Sequence, residues 1–218
     1  RVGVMEEDVI LEDGAEFVFT TDQCVGNNQK AFMTYQSFPR DVKPGEQILV
    51  DDGKLQFEVI STDKKLNVVT KVIVGGALSS KKGVNLPNTK ISLPALTEKD
   101  KKDAIFALSL DVDWIALSFV RTPEDLRILR DLIAQNSEYR VPVIAKIEKP
   151  EAVENIDLLI PYCDGLMVAR GDLGVEIPMQ EVPLIQKMLV NRAKKARIPV
   201  IIATQMMETM ITSSVPTR

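Results

Sequence analysis

Four apolar runs in the second half of the chain are too hydrophobic to face water along their whole length. They lie at about residues 114–119, 141–148, 165–170 and 198–204, and segments with helical periodicity separate them. Continuous apolar runs of this length are typical of buried parallel strands. Their alternation with helices predicts an α/β fold built from successive strand–helix units.

Two of the intervening helices have clear sequence signals. Thr122 is a predicted N-cap, with Pro123 at the first helical position and acidic residues in the first turn. A second helix is predicted to open near Pro178, with Lys194 and Lys195 close to its C-terminal end.

The first part of the chain has a different pattern. Short segments of alternating polar and apolar residues occur at 16–19, 47–50, 55–60 and 67–74, and they predict antiparallel strands in a small β-barrel or sandwich. The sequence Asp51-Asp52-Gly53 predicts a hairpin turn between two of them, because glycine accepts a positive φ. We place the domain boundary between residues 1–92 and 93–218, and residues 79–83 are the best candidate for a hinge.

Polar residues follow the apolar runs of the second part, at the point where each predicted strand ends. They are Lys146, Glu148, Arg170, Asp172 and Thr204. The carboxyl ends of parallel strands meet at one edge of the sheet, and in an α/β barrel this edge carries the active site. The pattern therefore predicts an active site formed by these side chains.

Each of these residues also has a simpler interpretation. Lys146 and Glu148 are two residues apart on a strand and share a face, so they could form only a structural ion pair. The segment 169–174 could be only a turn, although a tight strand-to-helix turn also exposes amides that bind anions. Thr204 could be an ordinary N-cap or a substrate contact, and the sequence leaves that open.

Two carboxylates at neighbouring strand ends indicate a divalent cation. Glu148 and Asp172 would supply two hard oxygen ligands, the number expected when Mg²⁺ or Mn²⁺ keeps its other positions for water and substrate. A phosphorylated ligand bridged by the cation is the natural occupant.

Composition excludes several functional classes. The 218 residues contain 27 basic and 31 acidic side chains, a net charge of −4 that gives no field to attract nucleic acid or an anionic membrane. The absence of histidine excludes Ser/His/Asp and Cys/His nucleophilic sites. Two cysteines without metal-ligand spacing, and no apolar run of membrane-spanning length, favour a cytoplasmic protein.

Five segments, taken together and in this order, resemble signature segments of the pyruvate kinase family. They are residues 79–87, 116–121, 144–153, 165–176 and 203–210. The resemblance covers the whole chain. It implies part of a TIM (β/α)8 barrel, about strands four to seven, with residues 1–92 as a β-rich lid domain inserted after the third strand.

The resemblance also implies an activity: transfer of a phosphoryl group between phosphoenolpyruvate and ADP, giving pyruvate and ATP, with Mg²⁺ or Mn²⁺ and with K⁺. It implies a parent enzyme that is a homo-oligomer, expected to be a homotetramer. This chain is then interpreted as a piece of a longer protein, in which the missing segments carry the potassium ligands and an arginine near the transferred phosphate.

The resemblance assigns roles to individual residues. Lys146 would neutralise charge on the phosphoryl group and the enolate, Glu148 and Asp172 would hold the metal, and the amides of Gly171 and Asp172 would bind the substrate carboxylate. Thr204 would line the face where the enolate is protonated. Asp51 and Lys82 match positions near the nucleotide phosphates.

Two alternatives remain. Related barrels bind keto acids on a metal held by Glu and Asp, so a metal-dependent carbon–carbon lyase acting on pyruvate-like acids is possible from the residues alone. The other alternative is a non-catalytic fragment, which folds but lacks enough of the site to catalyse the reaction.

Overall fold

The chain divides into two compact units, Arg1–Leu93 and Pro94–Arg218. The computed structural model describes residues 1–7, 9–92 and 94–204. The last signature segment, residues 203–210, therefore lies outside the described residues from position 205 onward. Among the residues that are described, no helix is both long enough and apolar enough to cross a membrane.

The first unit is built mainly of short strands. Its elements are β1 (Ile10–Leu11), β2 (Glu16–Thr20), β3 (Lys30–Phe32), α1 (Phe38–Asp41), β4 (Gln47–Val50), β5 (Leu55–Thr62), β6 (Asn67–Val74), β7 (Gly76–Ala77) and β8 (Val84–Asn85). Six strands form one sheet in the order β3-β2-β6-β5-β4-β8, and β1 pairs with β7. All pairs are antiparallel except β2 with β3.

Alternation along these strands builds the core of the first unit. Phe17 and Phe19 on β2 are fully buried with Phe57 on β5, and the rings of Phe19 and Phe57 meet edge to face with centroids 5.0 Å apart. Aromatic pairs in this arrangement add to the free energy gained by burial. The predicted small β-rich unit is therefore present.

The turn between β4 and β5 is the hairpin that the sequence predicts. Asp51, Asp52 and Gly53 have φ values of 53°, 56° and 84°. Aspartate tolerates this left-handed region better than most residues, and glycine adopts it without steric cost.

The expected hinge at residues 79–83 is instead part of the first unit. The amide of Lys81 donates to the carbonyl of Gly3, and the carbonyl of Lys82 accepts from the amide of Val2. The Ser80 hydroxyl accepts from the amide of Met5. Three hydrogen bonds to the first five residues hold this segment in place, and the boundary between the units falls after it.

The second unit alternates helices with parallel strands. Its elements are α2 (Glu98–Leu108), β9 (Ile115–Leu117), α3 (Pro123–Asn136), β10 (Val143–Ile147), α4 (Pro150–Glu154), α5 (Ile156–Leu159), β11 (Gly165–Ala169), α6 (Arg170–Glu176), α7 (Val182–Ala196) and β12 (Val200–Ala203), with 3₁₀ turns at Ile160–Tyr162 and Met179–Glu181. The sheet order is β12-β11-β10-β9, and every pair is parallel. The predicted α/β fold, a partial (β/α)8 barrel, is confirmed.

Helix boundaries follow the sequence signals in one case and shift in another. α3 begins after Thr122 with Pro123 at its start, as predicted. α7 begins at Val182 rather than near Pro178, because Pro178 is in an extended conformation with ψ 124° and a 3₁₀ turn follows it. Apolar residues of these helices, including Leu126, Leu129 and Leu189, are buried in the core of the second unit.

Candidate active site

The carboxyl ends of the four parallel strands lie at one edge of the sheet. Ile147 of β10 pairs with Val168 of β11, and Ala169 of β11 pairs with Ala203 of β12. The polar residues that follow these positions are thus brought to the same edge, as the sequence predicts from the parallel topology.

Lys146 and Glu148 form an ion pair at the end of β10. The Lys146 Nζ lies 2.6 Å from Glu148 Oε1 and donates to Ser118 Oγ at 2.8 Å. The second carboxylate oxygen, Oε2, accepts from the amide of Phe119 at 2.7 Å. Glu148 is only 1% exposed, so its charge is balanced by an amine and a backbone amide rather than by water.

A second ion pair involves the next residue along the chain and is more deeply buried. Lys149 Nζ and Glu176 Oε1 are 2.6 Å apart, and the two side chains are 8% and 1% exposed. Lys149 directly follows Glu148, and Glu176 is the last residue of α6. This pair therefore joins the end of β10 to the end of α6.

Thr204 contacts the start of α6. The amide of Gly171 donates to Thr204 Oγ1 at 2.9 Å. Arg170 reaches across to the same strand end: its Nε donates to the carbonyl of Ala203 at 3.4 Å, and its Nη2 donates to the carbonyl of Thr204. Arg170 and Gly171 thus fix the position of Thr204 beside the β11–α6 junction.

The absence of a side chain at position 171 leaves room for this contact. A Cβ built on Gly171 would lie 3.1 Å from Thr204 Oγ1, closer than most Cβ contacts in proteins. With a side chain at 171, Thr204 would have to move by a few tenths of an ångström.

Two strand ends have an unusual backbone conformation. Phe119 has φ 54° and Thr204 has φ 67°. Bulky and β-branched residues rarely adopt the left-handed region, and strained backbones of this kind cluster at functional sites. Both residues take part in the contacts described above.

The structure brings some of the predicted site residues into contact, whereas the role of Asp172 stays a prediction. Lys146 contacts Glu148, and Gly171 contacts Thr204. Asp172 lies in the first turn of α6 and is partly exposed. Within the described residues there is no cluster of three or more Asp, Glu, Cys or His side chains that could hold a metal.

The donor set still fits a divalent cation of the predicted kind. Mg²⁺ in phosphate-handling sites is bound by one or two carboxylates, with waters and substrate phosphates in the other positions. Glu148 and Asp172 at one sheet edge supply oxygens of this type, so a cluster of three carboxylates is not needed.

The two residues predicted to lie near nucleotide phosphates are in contact within the first unit. Lys82 Nζ is 2.9 Å from Asp51 Oδ1, and Lys54 Nζ is 3.1 Å from Asp51 Oδ2. Hydrogen bonds from Lys82 and then Lys54 lower the pKa of Asp51 below its ordinary value. The Asp51 carboxylate at the hairpin tip therefore lies between two ammonium groups, one from Lys54 in the hairpin and one from Lys82.

Sequence reasoning missed four contributors to this site: Ser118, the amide of Phe119, Lys149 and Glu176. The segments that contain them were noticed, but no role followed from the sequence. Lys149 could have been suspected because it directly follows Glu148. Its burial opposite Glu176 depends on tertiary structure and leaves no signal in the pattern.

Comparisons with known proteins all give one family. The family model described as "Pyruvate kinase, barrel domain" matches residues 1–218. A pyruvate kinase of Corynebacterium glutamicum is 46% identical over 209 residues, which are 96% of this chain and 44% of that protein. A pyruvate kinase of Geobacillus stearothermophilus is 45% identical, and the match covers 100% of this chain and 38% of that protein.

A solved structure gives the same result. The crystal structure of a pyruvate kinase from Cryptosporidium parvum superimposes with a TM-score of 0.91 at 37% identity, covering 100% of this chain and 46% of that one. The chain thus spans less than half the length of the relatives that it matches.

Proposed function

Since the chain belongs to the pyruvate kinase family, we propose that the protein containing it transfers a phosphoryl group from phosphoenolpyruvate to ADP, giving pyruvate and ATP. The observation that carries the proposal is the Lys146–Glu148 pair at the carboxyl edge of the parallel sheet, beside the Gly171–Thr204 contact. Phosphoryl transfer depends mainly on positioning and electrostatic stabilisation, and it needs no histidine.

Lys146 is the proposed electrostatic catalyst. Its ammonium group is held by Glu148 and Ser118, so its position is set before substrate binds. A fixed positive charge of this kind stabilises negative charge that develops on the phosphoryl group and on the enolate oxygen. It does so without reorganisation during the reaction.

Glu148 and Asp172 are the proposed ligands of Mg²⁺ or Mn²⁺. When bound, the cation would neutralise charge on the phosphate and on the substrate oxygens. Glu148 is already oriented by the Phe119 amide. K⁺ is proposed as a second ion on the basis of family membership, and no ligand for it is assigned in this chain.

The substrate carboxylate is proposed to bind the amides of Gly171 and Asp172. The Gly171 amide donates to Thr204 Oγ1 in this structure. The carboxylate would replace that oxygen as the acceptor and release the hydroxyl of Thr204. Thr204 could then face the enolate and assist its protonation.

The first unit is proposed to act as a lid that covers the nucleotide. Asp51 and Lys82 are the proposed phosphate contacts, and a bound phosphate would compete with Asp51 for the Lys82 ammonium. Closure would exclude water and protect the transferring group from hydrolysis.

Limited proteolysis distinguishes this proposal from a carbon–carbon lyase. If ADP protects residues 1–92 from the protease and pyruvate alone does not, the result favours the phosphotransferase.

We further propose that the complete protein is cytoplasmic and forms a homotetramer. We also propose that these 218 residues alone do not catalyse the reaction. The second part is tested by mixing the purified chain with phosphoenolpyruvate, ADP, Mg²⁺ and K⁺. ATP formation at the rate of the complete protein would contradict it.

The central test is Lys146→Met in the complete protein. Losing one preorganised charge costs roughly 3 kcal/mol, so we expect kcat to fall by about 100-fold or more. Steady-state ATP formation measures the loss. Lys99→Met is a matched control, because Lys99 is exposed on α2 and its partner among the described residues is Asp103 on the same helix. If K146M kept its turnover within a few-fold of the unmodified protein, the role of Lys146 would be wrong.

A further inference from the structure

We infer that Lys149 and Glu176 form a positioning pair, which holds the two proposed metal ligands at a fixed separation. The inference rests on the proposed function, because that function makes Glu148 and Asp172 metal ligands. Neither Lys149 nor Glu176 is proposed to touch the substrate or the metal.

Burial of the pair argues for a role beyond stability, because the attraction within a buried ion pair recovers little more than the free energy lost when the two charges leave water. Both side chains are almost completely withdrawn from water, with Nζ and Oε1 2.6 Å apart. Removing two charges from water has a large free-energy cost, and replacing a buried ion pair by apolar residues is often neutral or stabilising. A role beyond stability is therefore the better explanation.

Connectivity gives the pair its leverage. Lys149 is bonded to Glu148 through one peptide, and Glu176 ends the seven-residue helix that begins at Arg170. That helix carries Asp172 in its first turn. The ion pair thus closes a link between the end of β10 and α6, in addition to the sheet contact between Ile147 and Val168.

Charge pairing at this edge is selective. Lys146, Glu148 and Lys149 lie within four positions at the end of β10, and Glu176 is the last residue of α6. Lys146 pairs with Glu148, and Lys149 pairs with Glu176. Without Glu176, the buried ammonium of Lys149 would lose the carboxylate that pairs with it, and the link between β10 and α6 would be broken.

The decisive variant is the double substitution K149M/E176M in the complete protein. It leaves the net charge unchanged, so a change in metal affinity reports geometry rather than overall charge. Binding of Mn²⁺ alone, followed by the EPR signal of the free ion, is the readout. We expect Mn²⁺ affinity to fall about 10-fold or more, within the range of 10 to 100 for residues that orient metal ligands.

Three further variants separate positioning from folding. K149R keeps the charge and should retain most of the affinity. E176Q keeps the shape of the side chain and should weaken Mn²⁺ binding, which keeps the inference testable should the double variant not fold. R130M is the matched control, because the Arg130–Asp164 pair lies at the opposite end of the sheet. It should lower the unfolding temperature and leave Mn²⁺ affinity unchanged.

The outcomes are distinct for the two proposals. Unchanged Mn²⁺ affinity in K149M/E176M and in E176Q, with normal binding by the unmodified protein, would overturn this inference alone. Failure of the unmodified protein to bind Mn²⁺ would overturn the proposed metal site, and this inference with it. Reduced affinity in both variants, retained in K149R and R130M, supports the positioning role.

Discussion

At the scale of single residues, the contact between Gly171 and Thr204 is the most sensitive feature of the proposed site. Gly171→Ala would place a methyl group 3.1 Å from Thr204 Oγ1, and Arg170 hinders the retreat of Thr204 by holding its carbonyl. We expect G171A to lower kcat at least 10-fold, a barrier increase of about 1.4 kcal/mol, with a small change in unfolding temperature.

Gly174→Ala is the matched control for this prediction. Gly174 lies in the same helix, and a Cβ there would meet Val182 Cγ2 at an ordinary 3.5 Å. An alanine in a helix is favoured over glycine by about 0.5–1 kcal/mol, so G174A should be active and slightly more stable. Equal activity of G171A and G174A would show that the close approach has no role in turnover.

The two cysteines are expected to differ in reactivity. Burial, and then the charge of Asp164, raise the pKa of Cys163 to about 11, whereas Cys24 is partly exposed. The thiolate is the reactive form, so iodoacetamide at pH 8 should label Cys24 and spare Cys163 until urea is added. Mass spectrometry of the labelled peptides measures this, with C24S as the control. Rapid labelling of Cys163 in the native protein would be inconsistent with its burial.

At the scale of elements, two helices in the second unit begin with the same device. Asp100 accepts from the amide of Thr97 in α2, and Asp125 accepts from the amides of Arg121 and Thr122 in α3. Asp125 is buried, and Asp100 is partly exposed. We expect D125A to cost roughly 1.5–3 kcal/mol in unfolding free energy, as for hydrogen bonds to charged groups.

D100A is the internal comparison for D125A and should cost about 1 kcal/mol, the usual effect of losing a helix cap. Urea unfolding followed by circular dichroism measures both values. A larger loss in D100A than in D125A would mean that burial does not decide the value of these caps.

Elements differ in how far the sequence predicts them. The strands at 143–147 and 165–169 and the start of α3 follow from apolar runs and a cap, because these signals are local. The start of α6 at Arg170, directly after β11, agrees with the strand-to-helix turn that the sequence of residues 169–174 indicates. The 3₁₀ turn before α7 was not expected, since Pro178 also satisfies the rules for a helix start.

At the scale of the whole molecule, one carboxylate links several elements of the second unit. Asp164 accepts from the Val143 amide and pairs with Arg130 and Arg140 at 2.5 Å each. Burial by itself would raise the pKa of Asp164, but the Val143 amide and the two arginines outweigh it, so the pKa is lower than usual.

The sign of the pH dependence follows from that shift. The folded-state pKa lies below the unfolded value of about 3.9, so Asp164 stabilises the fold above that value. The contribution is lost as the pH falls through the lower, folded-state pKa. We expect the unfolding temperature of D164N to be lower than normal at pH 7 and to approach normal in acid. Thermal unfolding from pH 7 to pH 3 tests this, and a constant difference at all pH values would contradict it.

Long-range pairing sets the limit of what the sequence reveals about the site. Lys146 and Glu148 were predictable as neighbours because a strand places alternate residues on one face. The contacts of Glu148 with residue 119 and of Lys149 with residue 176 join positions 29 and 27 residues apart. No local rule predicts such partners without the topology of the sheet.

The group that orients Glu148 belongs to the main chain at position 119, and this has an evolutionary consequence. Most amino acids at that position would keep the donor, so the contact can persist while the side chain, 46% exposed, changes among residues that tolerate a left-handed backbone. Proline alone among the natural residues would remove the N–H, and its ring would also forbid a φ of 54°. Relatives can therefore diverge at 119 among residues that tolerate this φ, provided that none acquires proline there.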